Sequence, residues 1–268
     1  MSEAAILAID TATKLDGRHE GAVVVCGSHG GVYPGYLAAR AGVRAVLLND
    51  AGVGLEAAGI GCLGYCADLG MAAATVAHDS ARIGDGADMR SRGRISHVNR
   101  VAAELGCAPG QSVALALAAL VRAPAWRGAP PPYREGRELV VDEPGRRRVI
   151  CIDSASMVDP ADAGQIVITG SHGGMLASLP ALVLQVEAFA ALFNDAGIGI
   201  DEAGVSRLPA LDQRGIAAAA VAAMSARIGD GRSTYADGVL SRVNRSATRL
   251  GASPGLRARD WVARLVAL

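Results

Sequence analysis

A serine–histidine pair flanked by glycines occurs twice in this sequence. Residues 27–31 read Gly-Ser-His-Gly-Gly, and residues 170–174 repeat them letter for letter. The glycines allow a sharp turn that exposes backbone N–H groups, and a helix starting just beyond would add its positive end. Such a loop suits an anion or a developing oxyanion, and each copy offers a potential nucleophile and a potential base. The structural alternative is that the serine caps a helix and the histidine bonds to the backbone.

Two further motifs recur 145 residues apart. Residues 49–52 (Asn-Asp-Ala-Gly) return at 194–197, and residues 80–86 (Ser-Ala-Arg-Ile-Gly-Asp-Gly) return at 225–231. The aspartate could orient the histidine, and the asparagine could donate its amide to a substrate carbonyl. The arginine is a planar fork suited to a substrate carboxylate. The alternatives are that Asn and Asp cap helices and that each arginine pairs with the aspartate of its own motif.

These motifs define the candidate site. The candidate catalytic residues are Ser28, His29, Asp50, Ser171, His172 and Asp195. The candidate substrate-binding residues are Gly30, Gly31, Asn49, Ser80, Arg82, Asp85, Gly173, Gly174, Asn194, Ser225, Arg227 and Asp230. We assign no metal ligands and leave the cofactor unknown, because the sequence has no Walker loop, dinucleotide fingerprint, zincin motif or serine-centred nucleophile elbow.

The leading hypothesis is a hydrolase that acts on an amide, cyclic amide or ester of a small anionic metabolite. His29 or His172 would be the general base, the glycine loops and Asn49 or Asn194 would stabilise the oxyanion, and an arginine would hold the anionic group. One alternative is a metal-dependent hydrolase with His29, Asp50 and Asp85 as ligands. Others are a lyase or isomerase at the same site, and a non-catalytic module that binds an anion or nucleotide.

The two copies also differ at informative positions. His78 and Asp79 stand where the second copy has Ala223 and Met224, which favours the first copy if only one performs chemistry. This divergence also favours one composite site between the copies over two separate sites. Cys62 and Cys66, four residues apart, align with Arg207 and Leu211. They could bind a metal, although two buried thiols on one helix face are commoner.

The elements that must position these residues alternate between strand and helix. Short apolar runs bounded by glycine predict strands, and segments such as 33–41 and 57–69 predict helices. The predicted strands are 5–9, 22–26, 45–48 and 72–76, then 149–152, 166–169, 190–193 and 217–221. This pattern predicts an α/β fold, a tandem duplication of a βαβ-type unit with parallel sheets and two lobes related by a pseudo-two-fold axis. Each motif follows a strand, so the motifs should converge at the carboxyl ends of the sheets.

Each copy is predicted to close with two helices. Ile95, Val98, Ala102 and Leu105 would form the buried stripe of the first, with Asn99 facing the core, and a Pro-Gly pair would start the second. The predicted domains are 1–123 and 148–268, joined by a Pro- and Arg-rich connector at 124–147.

Composition excludes several classes of protein. The 26 basic and 26 acidic residues balance, which argues against a nucleic-acid or anionic-membrane partner. The N-terminus lacks the basic segment and long apolar run of a signal peptide, and no stretch of about 20 apolar residues could span a membrane. Five irregularly spaced cysteines indicate reduced thiols. We therefore expect a cytoplasmic protein, and the Ala- and Gly-rich helix faces suggest a homo-oligomer that binds a small anionic substrate.

Overall fold

The computed structural model describes residues 4–179 and 183–268, so the first three residues of the N-terminal segment lie outside it. The predicted α/β architecture is confirmed: two sheets, each flanked by helices, form two lobes with corresponding elements. The sheets are mixed rather than purely parallel, because an antiparallel strand lies at one edge of the first sheet and at both edges of the second.

The first sheet follows chain order. Its strands are β1 (Ile6–Ile9), β2 (Val23–His29), β3 (Ala45–Asn49), β4 (Ala72–Val76) and β5 (Ile95–Val98). The first four are parallel, and β5 runs antiparallel to β4. The central strands are fully buried, as expected for parallel strands covered on both faces.

The second sheet repeats this order and adds one strand. It contains β6 (Arg137–Val141), β7 (Val149–Ile152), β8 (Ile166–His172), β9 (Ala190–Asn194), β10 (Ala217–Val221) and β11 (Leu240–Val243). Strand β6 lies in the stretch predicted as the connector and pairs antiparallel with β7.

Helices cover both faces of each sheet. They are α1 (Val32–Arg40), α2 (Cys62–Asp68), α3 (Gly86–Arg92), α4 (Arg100–Glu104), α5 (Val113–Leu120), α6 (Arg207–Gln213), α7 (Gly231–Ala236), α8 (Arg245–Arg249) and α9 (Ala258–Val266). In the first lobe α1 and α2 pack on one face, and α3 and α5 pack on the other. Among the described residues, every helix is too short or too polar to cross a bilayer.

The end of each copy differs from the sequence prediction. The segment predicted as the first closing helix begins with a strand, β5 in the first lobe and β11 in the second. Asn99 is the N-cap of α4 and accepts hydrogen bonds from the backbone N–H groups of Ala73 and Ala102 at 3.1 and 3.0 Å. The apolar spacing of a four-residue strand followed by a short helix imitates one amphipathic helix. The last helices begin at Val113 and Ala258, after the Pro-Gly turns rather than at them.

The helix predicted for 57–69 is also interrupted. A 3₁₀ segment spans Leu55–Ile60, and α2 starts only at Cys62. Glu56 and Ala57 have left-handed φ values of 54° and 57°, which an α-helix does not accommodate.

The two lobes meet through reciprocal contacts. The Leu55 N–H donates to the Ala223 carbonyl at 2.9 Å, and the Ile200 N–H donates to the His78 carbonyl at the same distance. The donors are 145 residues apart in sequence, as are the acceptors. Small residues allow this approach: a Cβ placed on Gly52 would lie only 2.8 Å from the Cα of Gly197. Such exchange of equivalent contacts is the signature of the predicted pseudo-two-fold axis.

The segment that follows β8 also departs from the symmetry of the two lobes. Helix α1 follows β2 directly, whereas residues 175–179 and 183–189 after β8 are not helical. In the described part of the second lobe, no helix corresponds to the one that covers α2 in the first lobe. This difference leaves space beside α6, where the cavity described next is found.

Candidate functional site

A cavity of about 330 Å³ lies where the carboxyl ends of the two sheets face each other. Both copies of the Ser-His pair line it, as do the loops that follow β1 and β7. Its volume is at the low end of the range of about 300–1,000 Å³ typical of small-molecule pockets. One composite site between the lobes therefore holds the repeated Ser and His side chains.

The two histidines are fixed by their own glycine loops. The Nδ1 atom of His29 accepts the Gly31 N–H at 3.1 Å, and Nδ1 of His172 accepts the Gly174 N–H at 3.1 Å. Because Nδ1 is the acceptor, the proton of each neutral ring is on Nε2. Neither Nε2 has a hydrogen-bond partner among the described residues, so both N–H groups are available to a ligand.

Burial keeps both rings neutral. It lowers the pKa of His29 to about 4. The pKa of His172 lies well below its ordinary value, because of burial and because of the nearby charge of Arg207. At neutral pH each ring therefore presents Nε2–H as a donor, and the Nδ1 lone pair that a general base would need is already taken by the glycine N–H group.

The two serines hold loops rather than helices. The Oγ of Ser28 accepts the Ala12 N–H at 2.9 Å, and that of Ser171 accepts the Ala155 N–H at 2.9 Å. The N-cap of α1 is Gly31, so the alternative role of Ser28 as a helix cap is wrong. Within the described residues neither serine hydrogen-bonds to a histidine, so the structure gives no activated serine nucleophile.

The prediction that glycine N–H groups form an oxyanion hole is wrong. The Gly30 N–H donates to the Asn49 carbonyl at 2.6 Å, and the Gly31 N–H is bound to His29. The second lobe repeats this, with Gly173 bonded to the Asn194 carbonyl at 2.8 Å and Gly174 bonded to His172. All four donors are therefore occupied within the protein.

The Asn-Asp motifs are structural. Asp50 does not orient His29; its Oδ1 lies 2.8 Å from Nδ1 of His78 and accepts the His78 N–H at 3.0 Å. Asp195 binds the N–H groups of Gly197 and Ala223, both at 2.9 Å. Their asparagine neighbours are completely buried and bind backbone in both lobes, so neither reaches a substrate carbonyl.

The third motif pairs the lobes at their surface instead of binding a ligand. Arg82 contacts Asp201 at 2.7 Å, and Arg227 contacts Glu56 at 3.5 Å, which are again equivalent pairs. Arg227 also pairs with Asp230, as the structural alternative predicted, whereas Arg82 pairs with Asp88 instead of Asp85. Asp85 and Asp230 are the N-caps of α3 and α7. The hydroxyls of Ser80 and Ser225 bind backbone carbonyls at 2.8 Å.

Glu135 is a cavity residue that the sequence prediction missed. It precedes β6, on a segment that packs against α1 through Tyr133, whose ring centroid lies 5.7 Å from that of Tyr33. Burial raises the pKa of Glu135 to about 7, opposed by the Tyr33 hydroxyl and reinforced by the charge of Asp153. A carboxyl that is half ionised at neutral pH is suited to proton transfer. No motif marks it, because it stands in an unrepeated stretch.

Arg207 is the second cavity residue that was missed. It is 4% exposed, and none of the described acidic side chains pairs with it. Its Nη2 donates to the Gly174 carbonyl at 2.9 Å, and its guanidinium lies 5.0 Å above the Phe193 ring. Burial lowers its pKa only to about 10, so it stays charged. Its alignment with Cys62 was the one available signal, since an arginine replaces a core thiol.

The cysteines pack in the core. Cys62 and Cys66 are both fully buried against α1, as the structural alternative predicted, and burial raises the pKa of Cys66 to about 12. The alternative metal ligands His29, Asp50 and Asp85 have separate roles. Across residues 4–179 and 183–268, no three His, Cys, Asp or Glu side chains are grouped as a metal site would require.

Comparison of the chain with known protein families, curated proteins and solved structures finds no match.

Proposed function

We propose that the interlobe cavity hydrolyses an amide, cyclic amide or ester of a small metabolite. The observation that carries this proposal is the pair of neutral imidazoles that line one cavity from opposite lobes, with Nε2–H groups that have no acceptor among the described residues. Two such donors suit a single carbonyl oxygen on which negative charge develops. Removing one donor of this kind typically costs about a hundredfold or more in rate.

Glu135 supplies the base in this mechanism. Its carboxylate takes a proton from water as the water attacks the carbonyl carbon, while His29 and His172 donate hydrogen bonds to the carbonyl oxygen. Glu135 then returns the proton to the leaving nitrogen or oxygen as the tetrahedral intermediate collapses. The pKa of about 7 suits both steps, because the group must accept and then release a proton near neutral pH.

Hydrolysis can be distinguished from a lyase or isomerase reaction because it transfers the oxygen atom of water to a carboxylate product. A panel of small amides, cyclic amides and esters is incubated with the protein in ¹⁸O-labelled water, and the products are analysed by mass spectrometry. One ¹⁸O atom in the carboxylate product is expected. Deuterium exchange at a substrate carbon without ¹⁸O incorporation would show proton transfer instead of hydrolysis.

The roles of the histidines are tested by two kinds of substitution. Replacing His29 and His172 with Gln keeps an amide N–H donor near the position of Nε2 but removes any basic nitrogen. We expect the Gln variants to retain measurable turnover and the matched Leu variants to lose at least about a hundredfold. Equal loss in both series would identify the histidines as bases and overturn this mechanism.

A further inference from the structure

We infer that Arg207 binds a carboxylate of the substrate, which makes the substrate a half-amide, half-ester or cyclic amide of a small dicarboxylic acid. This inference rests on the proposed function for the scissile bond, but the carboxylate site itself can be tested without turnover. It also moves the anion-binding role from Arg82 and Arg227, which face the surface, to the cavity.

Arg207 has the features of a ligand-binding cation. A buried charge is costly unless it is paired, and Arg207 is 96% removed from solvent, with 4% exposure and no ion-pair partner among the described residues. Its Nε is buried, and among the described residues neither Nε nor Nη1 has a hydrogen-bond acceptor. The Nη2 group donates to the Gly174 carbonyl, which fixes the orientation of the guanidinium. The Nε and Nη1 donors are then available to a carboxylate.

The break in lobe symmetry accounts for the position of this arginine. In the first lobe a Cβ on Gly35 of α1 would lie only 2.9 Å from the Cβ of Cys62. Helix α1 and the Cys62 side chain are therefore in close contact, with no space for a ligand between them. In the second lobe Arg207 replaces the thiol, and residues 175–179 and 183–189 are not helical. Leu176 and Leu184 from this segment line the cavity beside Arg207. The second lobe thus provides the binding half of the composite site.

The charges of the cavity favour a carboxylate over a phosphate. Arg207 is the buried cation of the site, while Lys14 lies exposed at the mouth. Glu135 and Asp153 are acidic groups of the same cavity. One guanidinium balances the single charge of a carboxylate group and fits its two oxygens, whereas a phosphate group carries up to two charges near neutral pH and would need a second buried cation. Arg207 donates to the Gly174 carbonyl and the Gly174 N–H donates to His172, so a carboxylate on Arg207 would lie close to the imidazole donors and to the carbonyl that they bind.

The test measures binding without turnover. Succinate, glutarate and inorganic phosphate are titrated into the full chain by calorimetry at constant ionic strength, with thermal unfolding alongside. We expect a dicarboxylate to bind more tightly than phosphate, and Arg207→Met to weaken that binding about tenfold to a hundredfold. Arg259→Met is the matched control, because Arg259 is 52% exposed on α9, and it should bind as the wild type does.

The results distinguish a ligand-binding role of Arg207 from a structural one. Removal of an unpaired buried charge should leave the Tm of ligand-free Arg207→Met equal to or above that of the wild type. Unchanged dicarboxylate binding, no binding to the wild type, or tighter binding of phosphate would overturn the inference. If Arg207→Met does not fold, Arg207→Lys retains the charge without the fork, and wild-type affinity in that variant would equally overturn it. Glu135→Gln should bind dicarboxylates at least as tightly as the wild type while it loses turnover, so failure of the hydrolytic proposal is seen separately.

Discussion

Glu135 holds its proton to a higher pH in the folded protein than an ordinary carboxyl group does. Its pKa is raised from 4.5 to about 7, chiefly by burial. The unfolded chain therefore binds fewer protons than the folded one between about pH 4.5 and pH 7, so this residue lowers stability as pH rises through that interval. A residue that destabilises the protein at neutral pH yet faces the cavity is better explained by function than by folding.

Glu135→Gln should accordingly separate activity from stability. Glutamine does not ionise, so we expect the same free energy of unfolding as the wild type at pH 4.5 and about 1–2 kcal/mol more at pH 8, after allowance for solvent screening. Turnover should fall about 10²- to 10⁴-fold. Urea unfolding at the two pH values and steady-state rates measure both effects.

The control for this prediction is Glu138→Gln on β6. Glu138 is exposed and pairs with Arg232 at 2.9 Å, so its replacement should change neither turnover nor the pH dependence of stability by a comparable amount. A stability gain in Glu135→Gln that is as large at pH 4.5 as at pH 8 would contradict the raised pKa.

At the residue scale, the repeated motifs identified the histidines but not their roles. Letter-for-letter recurrence shows that Ser, His, Asn, Asp and Arg matter in both copies, yet most of them hold the turns that bring the strands and lobes together. Which nitrogen of His29 is free depends on the Gly31 N–H, a local contact that residue types do not reveal. Glu135 and Arg207 escaped because each occurs once, and their significance lies in burial and in neighbours distant in sequence.

At the element scale, glycines with left-handed φ place each imidazole against the opposite lobe. Gly84 has φ of +81°, and a Cβ there would lie 3.7 Å from Cε1 of His172. Gly229 has φ of +83°, and a Cβ there would lie 3.2 Å from Cε1 of His29. These turns follow β4 and β10, so one turn in each lobe packs against the cavity histidine of the other.

Gly229→Ala should therefore displace His29. The left-handed conformation costs alanine about 1–2 kcal/mol, and the added methyl group presses on the imidazole. We expect this loss in the free energy of unfolding and a fall in turnover of about tenfold to a hundredfold, because small displacements of catalytic groups are costly. Chemical denaturation and steady-state kinetics measure the two effects.

Gly64→Ala is the matched variant for this test. Gly64 is exposed on α2, and a Cβ there meets nothing within 4 Å. Alanine at a helical position should stabilise the protein by up to about 1 kcal/mol without changing turnover. Full activity in Gly229→Ala would show that the contact with His29 does not position the ring.

At the scale of the whole molecule, the sequence predicted the architecture well because buried parallel strands are short, continuous apolar runs between turn residues. The strands β3, β4, β9 and β10 lie within one residue of their predicted limits. The edge strands β5 and β11 were missed because each, together with the short helix that follows it, has the apolar spacing of a single amphipathic helix. The motifs did not predict that the described residues after β8 would form no counterpart of α1, since both copies retain the same Gly-Ser-His-Gly-Gly turn.

The stability of the interface between the lobes should depend on pH through the pair formed by His78 and Asp50. His78 packs against Gly197 of the opposite lobe and lies 2.8 Å from Asp50. The hydrogen bond to Asp50 raises the pKa of His78, despite the opposing effect of burial. For Asp50, burial acts to raise the pKa, but the contacts with His78 outweigh it and the pKa is lowered. The charged pair therefore forms above the range where Asp50 titrates and is lost as pH rises through the raised pKa of His78.

His78→Ala should remove this contribution without disturbing the turn, because Ala223 occupies the equivalent position and Asp195 binds its N–H in the same way. We expect His78→Ala to unfold with about 0.5–1 kcal/mol less free energy than the wild type at pH 5.5, since His78 is partly exposed, and with a smaller difference at pH 9. Urea unfolding at both pH values measures the difference. Met224→Ala, an exposed side chain of the corresponding turn, serves as the pH-independent control. A loss that grows with rising pH would contradict an ion pair, because only the protonated imidazole attracts the Asp50 carboxylate.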